Sequence, residues 1–193
     1  MLTLADQPKN FNYVKMSLLL ALEAFSELKI LSKSRTNLKE LEFLGNKTFK
    51  FYRVSLQYMA TMEYCKLFES EKGSNDRNTS SLKKLSKILS EKNIEHKPIT
   101  DECITKIASL ETTILNRKIR DLRNKKFGHS DGDYPVTPYS IKSLTIIEIN
   151  LAIEHLNTLG GILKIYCGLF NYDYDYYQHD DRTENFIKRL SAK

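Results

Sequence analysis

Residues 11–31 read Phe-Asn-Tyr-Val-Lys-Met-Ser-Leu-Leu-Leu-Ala-Leu-Glu-Ala-Phe-Ser-Glu-Leu-Lys-Ile-Leu, and this stretch decides the fold class. Its apolar side chains recur every three or four positions, with Lys15, Glu23 and Lys29 between them. That period is typical of an amphipathic helix that buries one face. The apolar stripe consists of Phe11, Val14, Leu18, Leu22, Phe25 and Leu28. The sequence therefore predicts a first helix that runs to about Leu31.

The same helical period recurs along the chain, and no segment alternates apolar and polar residues over a useful length. Asn37 and Glu40 have the spacing of a capping box, which predicts a short helix over residues 38–44. Other helices are predicted over residues 49–68, after a cap at Ser80 or Ser81, from Thr100 to a stop at Gly128, and from Thr137-Pro138 through Leu159 with a kink at Gly160-Gly161. We expect an all-α protein, an antiparallel helical bundle with two long helices in its C-terminal half.

The composition changes sharply near residue 170. Residues 171–181 are rich in tyrosine and aspartate, and Asp181 with Glu184 has capping-box spacing before a short terminal helix. We expect residues 1–170 to form the bundle and residues 171–193 to form a tail that packs on the bundle or on a dimer partner.

Length, charge and cysteine count limit the classes of function that the protein can have. A chain of 193 residues fits one domain, and its net charge of +6 weakly favours an anionic partner. The three cysteines are far apart and indicate reduced core residues rather than disulfides or a zinc site. Neither a leader nor an apolar run of roughly 20 residues is found, so we expect a cytoplasmic protein without membrane contact. His179, Asp180 and Asp181 are adjacent in a polar tail, where such residues are usually solvated, so no metal or cofactor is expected.

The densest cation cluster lies between Asn116 and His129, where six basic residues accompany the single acid Asp121. In an ideal helix, at roughly 100° per residue, Arg123 and His129 would lie about 120° apart. A helix that stops at Gly128 allows His129 to turn back toward Arg123. Histidine moves protons near neutral pH, and arginine's planar fork matches phosphate oxygens. Such a pair suits cleavage of RNA, whose 2′-hydroxyl is the nucleophile.

At these residues the sequence resembles the HEPN superfamily, helical-bundle proteins marked by an arginine, four to six intervening residues and a histidine, with a polar residue after the arginine. Here the motif is Arg123-Asn-Lys-Lys-Phe-Gly-His129. Its surroundings look like the branch of abortive-infection proteins of the U type. Related members that are paired with a nucleotidyltransferase antitoxin often have a tyrosine two residues after the histidine, where this chain has Asp131. Regulation through that tyrosine is therefore not supported.

The resemblance implies a metal-independent endoribonuclease that acts as a toxin or antiviral effector. It implies a homodimer in which two copies of the motif line one cleft, products with a 2′,3′-cyclic phosphate, and RNA, with transfer RNA as one candidate, as the substrate. Arg123 and His129 match the catalytic pair, and Asn124 matches the polar residue that orients them. From charge alone we add Arg120, Lys125 and Lys126 as phosphate contacts.

Two other functions stay open. A non-catalytic RNA-binding or protein-binding module would have the same apolar stripes on its helices but would catalyse no reaction. An enzyme controlled by an antitoxin protein would be toxic alone and protected by its partner. The hypothesis that the protein is an enzyme requires that Arg123 and His129 face each other in a solvent-exposed groove. His155, beside Glu154 on the last helix, is expected to be a surface or groove residue.

Overall fold

The computed structural model describes residues 7–69, 81–127, 143–172 and 187–188, and in these ranges the chain forms helices and no strands. Seven α-helices and one π-helical segment follow one another in the described part of the chain. They are α1 (Gln7–Leu31), α2 (Leu38–Gly45), α3 (Lys47–Leu67), α4 (Leu82–Lys92), α5 (Lys97–Glu111), α6 (Ile114–Asp121), the π-helical segment (Leu122–Phe127) and α7 (Ile146–Leu169). The predicted all-α helical bundle is confirmed.

Helix α1 lies at the centre of the bundle, against α3 and α7. Five of its six predicted stripe residues are buried, and Leu22 is partly buried against the same core. Arg53, early in α3, donates to the Leu31 carbonyl at the end of α1 at 3.1 Å. Tyr64, late in α3, meets Phe25 edge-on with ring centroids 6.1 Å apart. Helices α1 and α3 are therefore antiparallel.

The end of α7 returns to the start of α1. Phe170 and Tyr172 place their rings 6.5 Å and 4.3 Å from the ring of Phe11. Ile187, in the short described piece of the tail, is fully buried in the common core. The domain division at residue 170 stays a prediction.

Most of the described helices begin at a polar residue whose side chain caps the free backbone N–H groups of the first turn. Asn37 caps α2 by accepting from the backbone N–H groups of Lys39 and Glu40, which confirms the predicted start. Ser81 caps α4 by accepting from the Lys84 N–H.

Helix α5 begins earlier than predicted. Thr100 does not cap it, because the helix already begins at Lys97 with Pro98 in its first turn. A proline is tolerated there because the first turn needs no backbone donor from it. Thr100 is instead a buried residue within α5, and its hydroxyl donates to the Lys97 carbonyl at 2.9 Å.

The predicted continuous helix from Thr100 to Gly128 is broken between Glu111 and Ile114. Thr113 is extended there (φ −63°, ψ 152°), and its hydroxyl accepts from the Asn116 N–H at 3.1 Å. Consecutive threonines favour such a break because their hydroxyls compete locally for backbone hydrogen bonds. Thus α6 begins at its own cap.

The last helix begins later than predicted. Ser143, Leu144 and Thr145 are not helical, and α7 begins at Ile146 behind a capping box formed by Thr145 and Glu148. Helical structure continues through Gly160 and Gly161, where a kink was predicted. The predicted helix stop at Gly128, the Thr137-Pro138 start and the cap at Asp181 lie outside the described residues.

The three cysteines are free and buried, as predicted. Burial raises the pKa of the Cys65 thiol to about 11, although the nearby Arg123 and Arg120 guanidiniums lower it in part. These thiols are core residues. None of the described helices has the length and apolar character required to cross a bilayer.

Candidate active site

The basic cluster lies on α6 and the π-helical segment, beside the end of α3. Leu115, Ile119 and Leu122 are buried in the core and anchor this stretch of helix. After Asp121 the hydrogen bonding changes to the π-helical pattern, which is rare and often found at functional sites. Because a π-helical turn contains more residues than an α-helical one, the ideal-helix angle between Arg123 and His129 does not apply here.

Arg123 extends from the π-helical segment with its guanidinium held at two points. Its Nη1 donates to Glu69 Oε1 at 2.6 Å, and its Nε donates to Asn124 Oδ1 at 3.1 Å. The Arg123 side chain is 27% exposed and that of Glu69 is 36% exposed. The guanidinium is therefore fixed in direction while part of it still faces solvent.

Arg120 lies one turn earlier and contacts the same end of α3. Its Nη2 donates to Glu111 Oε1 at 2.8 Å and, at 3.4 Å, to the carbonyl of Phe68. Phe68 is the C-terminal cap of α3, where helix carbonyls lack helical partners and the helix dipole is negative. Both arginines thus lie at a helix end that attracts cations.

Acids from other elements offset much of the charge in the cluster. Besides the Glu69 and Glu111 contacts, Lys118 Nζ lies 2.6 and 2.7 Å from the carboxylate oxygens of Glu148. Burial alone would raise the pKa of Glu148, but Lys118 and hydrogen bonds from Thr145 lower it below its usual value. The field around α6 is therefore weaker than the sequence count of cations suggests.

A buried polar contact lies behind this surface. The Tyr64 hydroxyl is 2.8 Å from His155 Nδ1, and both side chains are buried. Burial raises the pKa of Tyr64 and lowers that of His155, so a neutral tyrosine hydroxyl meets a neutral imidazole. The fully buried amide of Asn116 lies close to the Tyr64 hydroxyl and lowers its pKa in part, without a hydrogen bond of ordinary geometry. The prediction that His155 is a surface or groove residue is therefore wrong.

The predicted site residues are only partly described. Arg120, Arg123 and Asn124 come together at the end of α3. Lys125 and Lys126 lie on the π-helical segment, but their side chains, like the whole of His129, are outside what the structure describes. The pairing of Arg123 with His129 stays a prediction.

Glu69 is the site residue that the sequence analysis missed. It lies 54 positions before Arg123, and nothing in its local sequence distinguishes it from other surface acids. Only packing of α6 against α3 brings the two side chains together. Within the described residues, no three His, Cys, Asp or Glu side chains are grouped to hold a metal ion.

Comparison with known proteins points to one family. A family model described as AbiU2, a type of HEPN domain, matches residues 14–186, which include every residue of the candidate site. No curated protein and no solved structure matches the chain.

Proposed function

Because the chain belongs to the HEPN domains of the abortive-infection AbiU2 type, we propose that it is a metal-independent endoribonuclease that acts as a toxin or antiviral effector. RNA carries its own nucleophile, so the protein needs to move protons and to stabilise charge on the phosphorane. In this proposal His129 transfers the proton and Arg123 stabilises the phosphorane.

The observation that carries the proposal is the Arg123 guanidinium. Its direction is fixed by Asn124 and Glu69, and it remains 27% exposed on the π-helical segment just before His129 in the chain. A charge-stabilising group is most effective when it is held in place before the transition state forms. Asn124 supports this role because its side-chain oxygen orients the arginine directly.

Substrate binding is assigned to the remaining cations. Arg120 is 39% exposed and lies beside Arg123, so it contacts a neighbouring phosphate in this proposal, as do Lys125 and Lys126. The substrate is RNA, with transfer RNA as one candidate. The active unit is a homodimer with the two motifs in one cleft, and an antitoxin protein is a further possible partner.

The test is cleavage of total bacterial RNA by the purified full chain in EDTA. We expect cleavage by the wild type, and we expect Arg123→Ala and His129→Ala each to lower the rate by at least about 100-fold, the usual scale for a proton-transfer or charge-stabilising group. The products should end in 2′,3′-cyclic phosphate, and the matching DNA should remain intact.

Arg117→Ala is the matched control, since it removes one positive charge from an exposed position of α6. Circular dichroism should verify that each variant is folded. Cleavage that survives both active-site substitutions would contradict the assignment of Arg123 and His129. No cleavage by the wild type would favour the alternative, a non-catalytic RNA-binding or protein-binding module of the same fold.

A further inference from the structure

Arg123 already uses one nitrogen on each edge of its guanidinium that could bind a phosphate. A guanidinium binds an oxyanion with two donors at once, either the two terminal nitrogens or Nε with one terminal nitrogen. Glu69 engages Nη1 on the first edge, and Asn124 engages Nε on the second. A phosphate that approaches either edge therefore meets a nitrogen already bonded to one of these side chains, and release of that side chain favours two-point binding.

Glu69 is the partner with the stronger effect on an incoming anion. Its carboxylate is negatively charged and would repel a phosphate, whereas the Asn124 amide is neutral. We propose that the Glu69 carboxylate competes with a phosphate group of RNA for Arg123, and that Glu69 thereby sets how tightly the site binds RNA. This rests on the assignment of Arg123 as a phosphate contact in the proposed function.

The local structure allows the Glu69 side chain to release Arg123 while its backbone stays fixed. The Glu69 N–H donates to the Lys66 carbonyl at 3.3 Å, and its own carbonyl accepts from the Ser81 hydroxyl at 2.7 Å. Only a side-chain rotation is needed. A partly exposed ion pair also contributes little to stability, so an RNA phosphate can displace it.

Arg123 keeps one of its two anchors when Glu69 releases it. It remains tethered by Nε to Asn124 in the neighbouring position, and buried Leu122 anchors the preceding residue. Removal of the carboxylate charge should therefore leave the guanidinium in place and available.

The experiment measures binding of the full chain to a fluorescent single-stranded 2′-O-methyl RNA, which lacks the free nucleophile and is not cleaved. The dissociation constant is measured at several salt concentrations for the wild type, Glu69→Gln, Arg123→Ala and the double variant. Glu63→Gln is the matched control, because it removes the same charge from nearby α3, where Glu63 pairs with Lys66 at 2.6 Å and not with Arg123.

We expect Glu69→Gln to lower the dissociation constant by about three- to tenfold, since both competition and repulsion are removed. Its dependence on salt should steepen by up to about 0.7 in log–log slope, the value for one added phosphate contact on a single strand. Glu63→Gln should change the constant less than about twofold, because the Glu63 carboxylate is paired with Lys66 and does not compete for Arg123. In the Arg123→Ala background, Glu69→Gln should give a clearly smaller gain, because only the repulsion is then removed.

Unchanged or weaker binding by Glu69→Gln overturns the proposal, as does an equal gain in Glu63→Gln or in the Arg123→Ala background. Absence of binding by both the wild type and Glu69→Gln overturns it as well. Failure of the proposed function is distinguished by cleavage of unmodified RNA: if Arg123→Ala cleaves as fast as the wild type, the catalytic role of Arg123 fails, while the binding series decides on Glu69 separately.

Discussion

His155 illustrates at the scale of one residue how burial selects a protonation state. His155 is 6% exposed, and its Nδ1 lies 2.8 Å from the Tyr64 hydroxyl oxygen. Desolvation lowers the pKa of His155, and Glu154 only partly opposes this. Protonation would place a positive charge in this buried position, so the folded state favours the neutral ring.

Stability should therefore fall in mildly acidic solution. Because the pKa of His155 is lower when folded than the unfolded value of about 6.5, the contribution is complete above that value and is lost as the pH falls from there through the folded pKa. Urea unfolding at pH 7.5 and 5.5 measures this loss. His155→Asn keeps an acceptor without titrating, so it should lose less stability between these two pH values. Equal losses in both proteins would contradict the expectation.

At the scale of an element, α6 depends on a cap that separates it from α5. Thr113 accepts from the Asn116 N–H, and the chain is extended at this point. Thr113→Ala should lower the free energy of unfolding by about 0.5–2 kcal/mol, the usual cost of a lost N-cap. Thr112→Ala should have a smaller effect, because the Thr112 hydroxyl donates only to the Ser109 carbonyl on the exposed side of the helix.

A higher free energy of unfolding for Thr113→Ala would contradict the break between α5 and α6. If α5 continued into α6, alanine would raise helix propensity at position 113 and stabilise the protein. Urea unfolding of the two threonine variants and the wild type decides between these outcomes. The cap matters for the site because α6 leads directly into the π-helical segment that carries Arg123.

At the scale of the whole molecule, the proposed cleft is shared by two subunits. If each cleft contains two motifs, a dimer of one Arg123→Ala and one His129→Ala subunit retains one intact arginine and one intact histidine. We expect such mixed dimers to cleave RNA measurably while each variant alone does not. Co-expression of differently tagged subunits, followed by two-step purification and a cleavage assay, measures this.

Sedimentation velocity over a range of protein concentrations provides the companion measurement. A dimer at the concentration of the assay, with activity restored in the mixed species, is the expected outcome. A chain that remains monomeric while it cleaves RNA would disprove the shared cleft. Mixed dimers without activity would mean that both residues must come from the same subunit.

The sequence by itself determined the all-α class, the apolar face of α1, the Asn37 cap and the family motif around Arg123. These features are local, because helical period, caps and short motifs depend on residues only a few positions apart. The boundaries of α5 and α7 were harder to predict, since Pro98 and Thr145 each compete with neighbouring polar residues for the role of helix start.

Only the tertiary structure decided the surroundings of the site. Glu69 and Arg123 are 54 positions apart, and Tyr64 and His155 are 91 positions apart. Such pairs form because packing of α3 against α6 and α7 brings their side chains within hydrogen-bond distance, and no local period encodes that packing. The same reason explains why the basic cluster was expected to be more positive than it is, since Glu69, Glu111 and Glu148 reach it from other elements.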